Sequence, residues 1–158
     1  MMIVAIKEFV KTGKFGPVNI GMTKPDVLNL LGQPDSDNDI GENGSILLFG
    51  WYELFFDHNN VLTAIQNDNY DPEQPETYRF SNDQFEVDSW FLNSRKNQSI
   101  SSIISFLKGT EIPYVVKDYF GREVIQVASG VIIDFDEDQN QYGVNELLGI
   151  RFWPNVST

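Results

Sequence analysis

The chain has a single histidine, His58, and no cysteine. The absence of cysteine excludes disulfides, thiolate zinc sites and cysteine nucleophiles. His58 lies in Asp57-His58-Asn59-Asn60, a composition typical of a turn. A catalytic histidine needs a nucleophile held beside it in a pocket, and a polar turn favours simple solvation. We therefore predict no catalytic role for His58.

Acidic residues at alternate positions from Asp134 resemble the start of a calcium-binding EF-hand loop. The remainder of that pattern is missing, because the sixth position is Gln139 instead of glycine and the twelfth is Asn145 instead of glutamate. A charged hairpin end that discourages strand pairing accounts for the same residues. The sequence therefore predicts neither a metal site nor a cofactor.

Carboxylate pairs could also perform acid–base chemistry, such as glycoside hydrolysis. The chain contains 23 acidic residues, and no pair among them is distinguished by its spacing. The short Gly41-Glu42-Asn43-Gly44 segment is typical of a loop and not of a phosphate-binding cradle. We therefore predict that the chain is not an enzyme.

The charge balance indicates the class of partner. Eleven basic residues against 23 acidic ones give a formal net charge of −12. Such a charge repels nucleic acids and anionic lipids, and it attracts basic proteins. The chain has no apolar run of the roughly 18 residues that cross a bilayer, and its first residues lack the pattern of a signal peptide. We therefore expect a cytoplasmic protein that binds neither nucleic acid nor membrane.

Two short helices are predicted. Residues 24–31 follow the capping residue Thr23, carry apolar side chains at i, i+3 and i+4, and end at Gly32. A second helix is predicted from Ser99 to Gly109 on the same grounds. Both are too short to be stable alone, so each must pack on a sheet.

Apolar and β-branched runs predict the strands of that sheet. Residues 46–56 form one strand or a bent hairpin, and turns are expected at residues 57–60 and 136–140. Residues 71–84 are polar, contain prolines and are predicted to be a linker. The other predicted strands are residues 61–65, 114–117, 123–128, 131–135 and 147–153.

The two halves of the chain show the same order of helix, glycine stop, strands ending in Phe-Asp, turn and final strand. This order predicts an α+β fold, a tandem repeat of a short helix packed on an antiparallel sheet, with the two sheets forming one open concave surface. The first repeat covers residues 1–70, the linker residues 71–84 and the second repeat residues 85–158. Unrelated elements that happen to share an order are the alternative.

The opening of the first repeat resembles a known family. Phe15-Gly16-Pro17-Val18-Asn19-Ile20-Gly21-Met22-Thr23, continued by Val27, Gly32 and Pro34, is similar to the start of the β-lactamase-inhibitor-protein-like tandem repeat, which small outer-membrane assembly lipoproteins share. The resemblance implies an architecture that grips other proteins. The disulfides and lipidated cysteine of those proteins have no counterpart here, so their activities and their location outside the cytoplasm are not implied.

Strand alternation predicts which side chains face away from the helices. Leu48, Tyr52, Leu54 and Phe56 are expected to face the core, whereas Leu47 and Phe49 are expected to face outward with the binding set. The predicted partner-binding residues are Trp51, Glu53, Phe55, Asp134, Asp136, Arg151 and Trp153.

We therefore predict an inhibitor or immunity-type protein that neutralises a basic partner, such as a toxin nuclease, with an acidic and aromatic sheet face. Two alternatives stay open. One is a small carboxylate-dependent enzyme with a groove between the halves, and the other is a homodimeric structural adaptor. The sequence does not set the oligomeric state.

Overall fold

The computed structural model describes residues 1–71, 73–93 and 98–154. Within these residues the chain forms three α-helices, ten strands and three short 3-10 helices. The helices are α1 (Ile6–Thr12), α2 (Lys24–Leu31) and α3 (Ile100–Gly109). The strands are β1 (Met2–Ala5), β2 (Ser36–Asp39), β3 (Ser45–Phe49), β4 (Tyr52–Phe56), β5 (Leu62–Asn67), β6 (Phe85–Asp88), β7 (Tyr114–Tyr119), β8 (Arg122–Val127), β9 (Ile132–Gln139) and β10 (Asn145–Phe152). The 3-10 helices are Gly41–Asn43, Pro75–Tyr78 and Trp90–Asn93.

Eight strands form one antiparallel sheet in the order β2-β3-β4-β5-β10-β9-β8-β7. Strands β5 and β10 meet at its centre, where Gln66 lies opposite Arg151 and Ile65 opposite Phe152. The remaining two strands, β1 and β6, pair in parallel as a separate small sheet. The predicted α+β fold with a mostly antiparallel sheet is therefore confirmed.

The capping residues that the sequence indicates set the ends of α2 and α3. The Thr23 side chain accepts a hydrogen bond from the Asp26 amide at 3.4 Å, and the Ser99 side chain accepts one from the Ser102 amide at 3.2 Å. Gly32 ends α2 with a φ of 80°, in the left-handed region that favours glycine. The apolar spacing then turns one face of each helix toward the sheet.

One hydrophobic cluster fills the space between the helices and one face of the large sheet. It contains buried side chains of all three helices, including Phe9, Val27 and Leu107. It also contains side chains from both halves of the sheet, including Leu54 and Ile133. Both halves of the chain therefore share a single core, and the other face of the sheet is left free of helices among the described residues.

The strand phase predicted for residues 46–49 is wrong. Leu47 and Phe49 are fully buried in the core, whereas Leu48 is only half-buried on the opposite face. The reason is a tight reversal at Gly50-Trp51, which separates β3 from β4 and shifts the alternation by one residue. Of the two forms predicted for residues 46–56, the bent hairpin is the one observed.

The turn predicted at residues 136–140 is also displaced. Strand β9 continues to Gln139, and the reversal follows Asn140, whose amide bonds to the Val144 carbonyl at 2.8 Å.

In the predicted linker, Tyr78 is fully buried, and its hydroxyl donates to the Leu148 carbonyl at 3.1 Å. That part of residues 71–84 therefore packs on the sheet.

Candidate protein-binding face

The face of the large sheet that points away from the helices is called the open face below. The strand registers define a central row of residues across this face, in which each residue lies opposite the next one on the neighbouring strand. Val124 and Ile132 are buried but lie outside the core cluster, as expected for side chains on this second face. The row consists of Leu48, Glu53, Gln66, Arg151, Ile132 and Gln126.

The β4 side of the open face carries large aromatic side chains next to carboxylates. Trp51 is 50% exposed in the β3–β4 turn, and Phe55 and Glu53 are half-buried. The Gln66 amide donates to Glu53 Oε1 at 3.1 Å and fixes that carboxyl group. Burial raises the pKa of Glu53, and the negative charge of the exposed Asp68 raises it further. We call Trp51, Glu53, Phe55 and Asp68 the aromatic–acidic patch.

A small residue separates two aromatic side chains at the edge of this patch. Phe55 lies opposite Ala64 on β5. Extending the β5–β10 register by one residue places Trp153 on the other side of Ala64. Neighbouring strands lie about 4.8 Å apart, so the strands that carry Phe55 and Trp153 lie roughly 10 Å apart on either side of the strand that carries Ala64.

The β9 side of the open face is organised by one buried carboxylate, Asp134, which is 5% exposed. Arg122 donates to both of its oxygens, from Nε at 2.8 Å and from Nη2 at 2.9 Å, and Arg151 donates from Nη1. Burial alone would raise the pKa of Asp134, but the two arginines outweigh it and hold the pKa below its usual value. The hydrogen bond to Asp134 also raises the pKa of Arg122.

Two aromatic rings cover these arginines. The Tyr119 ring centre lies 5.0 Å from the Arg122 guanidinium carbon and 5.1 Å from that of Arg151. The Trp153 ring centre lies 5.2 Å from the same atom of Arg151. Cation–π contacts of this length stabilise the guanidinium groups in fixed positions. We call Tyr119, Arg122, Asp134, Arg151 and Trp153 the arginine cluster.

Six of the seven residues predicted from the sequence therefore fall into these two groups. Trp51, Glu53 and Phe55 belong to the aromatic–acidic patch, and Arg151 and Trp153 belong to the arginine cluster. Asp134, predicted to contact a partner, also belongs to the arginine cluster, where both its oxygens are bound by arginines. Asp136 lies further along β9 and is half-buried, with one oxygen accepting from the Asp138 amide at 3.0 Å.

The sequence reasoning missed Asp68, Tyr119 and Arg122 of these two groups, and it also missed Gln66, which fixes Glu53. Alternation along β8 from Arg122 through Val124 to Gln126 would have placed the arginine on this face. The sequence gives no sign of its pairing with Asp134, because that contact depends on the register between β8 and β9.

Within residues 1–71, 73–93 and 98–154, no group of three or more histidine, cysteine, aspartate or glutamate side chains is arranged to hold a metal ion. His58 is exposed in the turn predicted for it. None of the helices in the described part of the chain is long and apolar enough to cross a membrane.

Two buried donors of the arginine cluster, Arg151 Nη2 and Trp153 Nε1, have no acceptor within the described residues. Both belong to side chains of the open face. A carbonyl or carboxylate oxygen brought close to them would satisfy this unmet hydrogen-bonding capacity.

Comparison with known proteins gives little further information. No family model matches the chain, and no curated protein matches it. One solved structure, an extracellular protein containing an SCP domain from Bacillus anthracis str. Ames, is similar at 10% sequence identity with a TM-score of 0.40. The alignment covers 86% of this chain and 44% of that one. The chain thus spans less than half the length of that protein, and a likeness of this size assigns no function.

Proposed function

We propose that this chain is a protein-binding inhibitor of the immunity type, which neutralises a basic protein partner by covering it with the open face. A toxin nuclease is the kind of partner that this chemistry fits, because its nucleic-acid site must itself be basic. In this proposal the chain performs no catalysis and acts from the cytoplasm.

The observation that carries the proposal is the aromatic–acidic patch. Trp51 is half exposed beside two carboxylates, Glu53 and Asp68, and no described element covers it. Tryptophan is enriched among the residues that dominate binding energy at protein interfaces, and charged residues around it favour a partner of opposite sign.

The whole chain supports the same reading through its net charge of −12. A charge of this size accelerates encounters with a basic protein at low ionic strength. The arginine cluster adds no free negative charge, since its carboxylate is neutralised. The cationic side of a partner is therefore expected over the aromatic–acidic patch.

We also propose that the sheet arose from two copies of one helix-plus-sheet unit. Helix α2 precedes β2, β3, β4 and β5, and α3 precedes β7, β8, β9 and β10 in the same order. The last strands of the two sets, β5 and β10, are neighbours at the centre of the sheet. A permuted chain with the second unit placed first should then fold to the same far-ultraviolet circular dichroism spectrum. Failure of that chain to fold would contradict the proposal.

The proposed function is tested by capture of partners on the purified chain from a lysate of its source organism, followed by titration of any basic protein retained. Substituting Trp51→Ala should weaken binding about 30-fold, the size of a 2 kcal/mol hot spot. Binding should also weaken as salt is raised from low to physiological concentration, because charge attraction is screened.

Tyr142→Ala is the matched control, since Tyr142 is an exposed aromatic residue at the β9–β10 turn, away from the patch. It should bind like the unmodified chain. Retention of no basic protein, or equal binding by the Trp51 and Tyr142 variants, would overturn the proposal.

A further inference from the structure

We propose that the chain forms a symmetric dimer in which the β7 strands of two copies pair antiparallel and join their sheets. The β7 edge lies at the opposite end of the sheet from the aromatic–acidic patch, and the proposal does not depend on the proposed function. It starts from the free edge of β7, which forms one end of the eight-stranded sheet. Within the described residues, only β8 pairs with this strand.

The exposed side chains of β7 are unusual for a sheet edge. Val115 is 55% exposed and Val116 is 44% exposed, and they point to opposite faces of the sheet. An exposed edge of six residues that carries β-branched side chains is a template for pairing with another strand. Its two charged residues, Lys117 and Asp118, are features that usually discourage pairing, so the register decides whether a second copy can pair.

The opposite edge of the same sheet, β2, is protected against pairing with its own copy. It spans four residues, Ser-Asp-Asn-Asp. In an antiparallel pair of identical strands, residues that face each other across the pair point to the same side of the sheet. Within β2, Asp37 and Asp39 of one copy would therefore each face Asp37 or Asp39 of the second copy. Like charges directly opposite each other are destabilising. The two edges of one sheet therefore differ in their capacity for self-association.

The charges of β7 select one register for self-pairing. Centring the pair on Lys117 would place two lysines opposite each other, and centring it on Asp118 would place two aspartates together. Centring it on Val115 would pair only three residues of β7, Tyr114–Val116, because Pro113 and the residues before it lie outside the strand.

The register centred on Val116 avoids both like-charge pairs and places five residues of β7, Tyr114–Asp118, opposite each other. Val116 then faces Val116 of the second copy, Val115 faces Lys117, and Tyr114 faces Asp118, to which its hydroxyl can donate. The contact therefore contains an apolar centre, aliphatic contacts along the lysine stem and two tyrosine–aspartate pairs, with no like-charge pair. Because β7 is complementary to itself in this register, we expect a second copy of the chain to pair with its free edge.

The net charge of each copy opposes this dimer at low salt. The screening length falls from about 30 Å at 0.01 M salt to about 8 Å at physiological ionic strength. Dimerisation should therefore strengthen as salt is added. This is the opposite of the salt dependence expected for a basic partner, so the two proposals can fail separately.

The first experiment is sedimentation velocity of the full chain across protein concentration at 0.01, 0.15 and 0.5 M salt. A monomer–dimer equilibrium that shifts toward dimer with salt is expected. Val116→Lys should abolish it by placing two lysines at the two-fold axis. Ile3→Lys, at an exposed apolar strand position of β1, is the matched control and should leave the equilibrium unchanged.

A second experiment fixes the register, because the chain has no cysteine of its own. The Val116→Cys thiols of two copies would lie opposite each other, within the distance that a disulfide spans. The Val115→Cys thiols would lie two residues out of register and more than about 7 Å apart. Mild oxidation should convert most of the Val116→Cys variant to covalent dimer and little of the Val115→Cys variant. A chain that is monomeric at every salt concentration, a dimer insensitive to Val116→Lys, or equal cross-linking of both cysteine variants would overturn the proposal.

Discussion

At the scale of single residues, Asp134 shows how one carboxylate can order a surface. Its two oxygens receive three hydrogen bonds from two arginines, and those arginines in turn lie against Tyr119 and Trp153. A charge buried in this way stabilises the fold only while all its partners are present. Asp134 therefore fixes the shape of the open face, whereas in the proposed function it is the exposed residues of that face that contact the partner.

Substituting Asp134→Asn should lower the free energy of unfolding by about 3 kcal/mol, because it leaves two partly buried arginines without their counter-ion. The measurement is urea denaturation at pH 7. Asp136→Asn, on the same strand with no arginine partner among the described contacts, should change stability by less than about 0.5 kcal/mol. Equal effects of the two substitutions would show that the ion pairs contribute no stability.

The same site predicts a pH dependence. The lowered pKa of Asp134 means that the unfolded chain takes up a proton more readily than the folded chain. Its contribution is therefore present above the unfolded value near 3.8 and lost as the pH falls through the lower folded value. The stability difference between the unmodified chain and the Asp134→Asn variant should be constant from pH 5 to 7 and shrink below pH 4.

The effect of Glu53 on stability should have the opposite pH dependence. Its pKa is raised in the folded chain, so the folded state holds its proton more tightly and loses stability as the pH rises from about 4.5 through that raised value. Glu53→Gln should therefore raise the thermal midpoint at pH 7 and leave it unchanged at pH 3.5. The same substitution should weaken binding of a basic partner. A variant that is destabilised at pH 7 would contradict this account of the patch.

At the scale of elements, the seam between β5 and β10 holds the two halves of the large sheet together. Gly149 lies on β10 where its backbone approaches that of Asn67 and Asp68, and an added Cβ would overlap the Asn67 carbonyl oxygen. The neighbouring helical Gly109 has no atom within 4 Å of the same position. Position 149 therefore requires glycine because the two backbones approach closely at the seam, and not because of its backbone angles.

Gly149→Ala should force β10 away from β5 and destabilise the chain by about 2 kcal/mol or more, in the range of overpacked sites. Gly109→Ala should be neutral or slightly stabilising, since alanine favours helix. Thermal unfolding followed by circular dichroism measures both. An unchanged midpoint for Gly149→Ala would mean that the seam has room that the structure does not show.

Sequence patterns predicted elements well where a local rule applied. The caps at Thr23 and Ser99 and the glycine at 32 predicted α2 and α3, and seven of the ten strands lie within or close to the predicted runs. The polar edge strand β2 was missed because Ser-Asp-Asn-Asp has no strand propensity, and pairing with β3 alone makes it extended. The predicted orientation of the β3 side chains was wrong because the alternation was continued through the reversal at Gly50. The contact between Arg122 and Asp134 depends on the register between β8 and β9, so local sequence patterns do not predict it.

At the scale of the whole molecule, the two halves share one hydrophobic cluster. A cavity in one half should therefore destabilise the other. Ile133→Ala, at a fully buried position of β9, should cost about 3 kcal/mol, within the range for such truncations. The most protected amides of β4, in the other half, should then exchange with solvent about 100-fold faster or more. Protection of β4 that stays unchanged would show that the halves unfold independently.

The pairing of β1 with β6 has a consequence for how the chain acquires its structure. Met2 lies opposite Phe85, so the first strand finds its partner only after more than half of the chain has been made. Synthesis proceeds at roughly 5–20 residues per second, which leaves β1 unpaired for several seconds on the ribosome. Contacts between such distant segments also slow folding through the entropy of closing a long loop. The nascent chain therefore exposes Val4, which is fully buried in the folded protein, to chaperones before the native parallel pair can form.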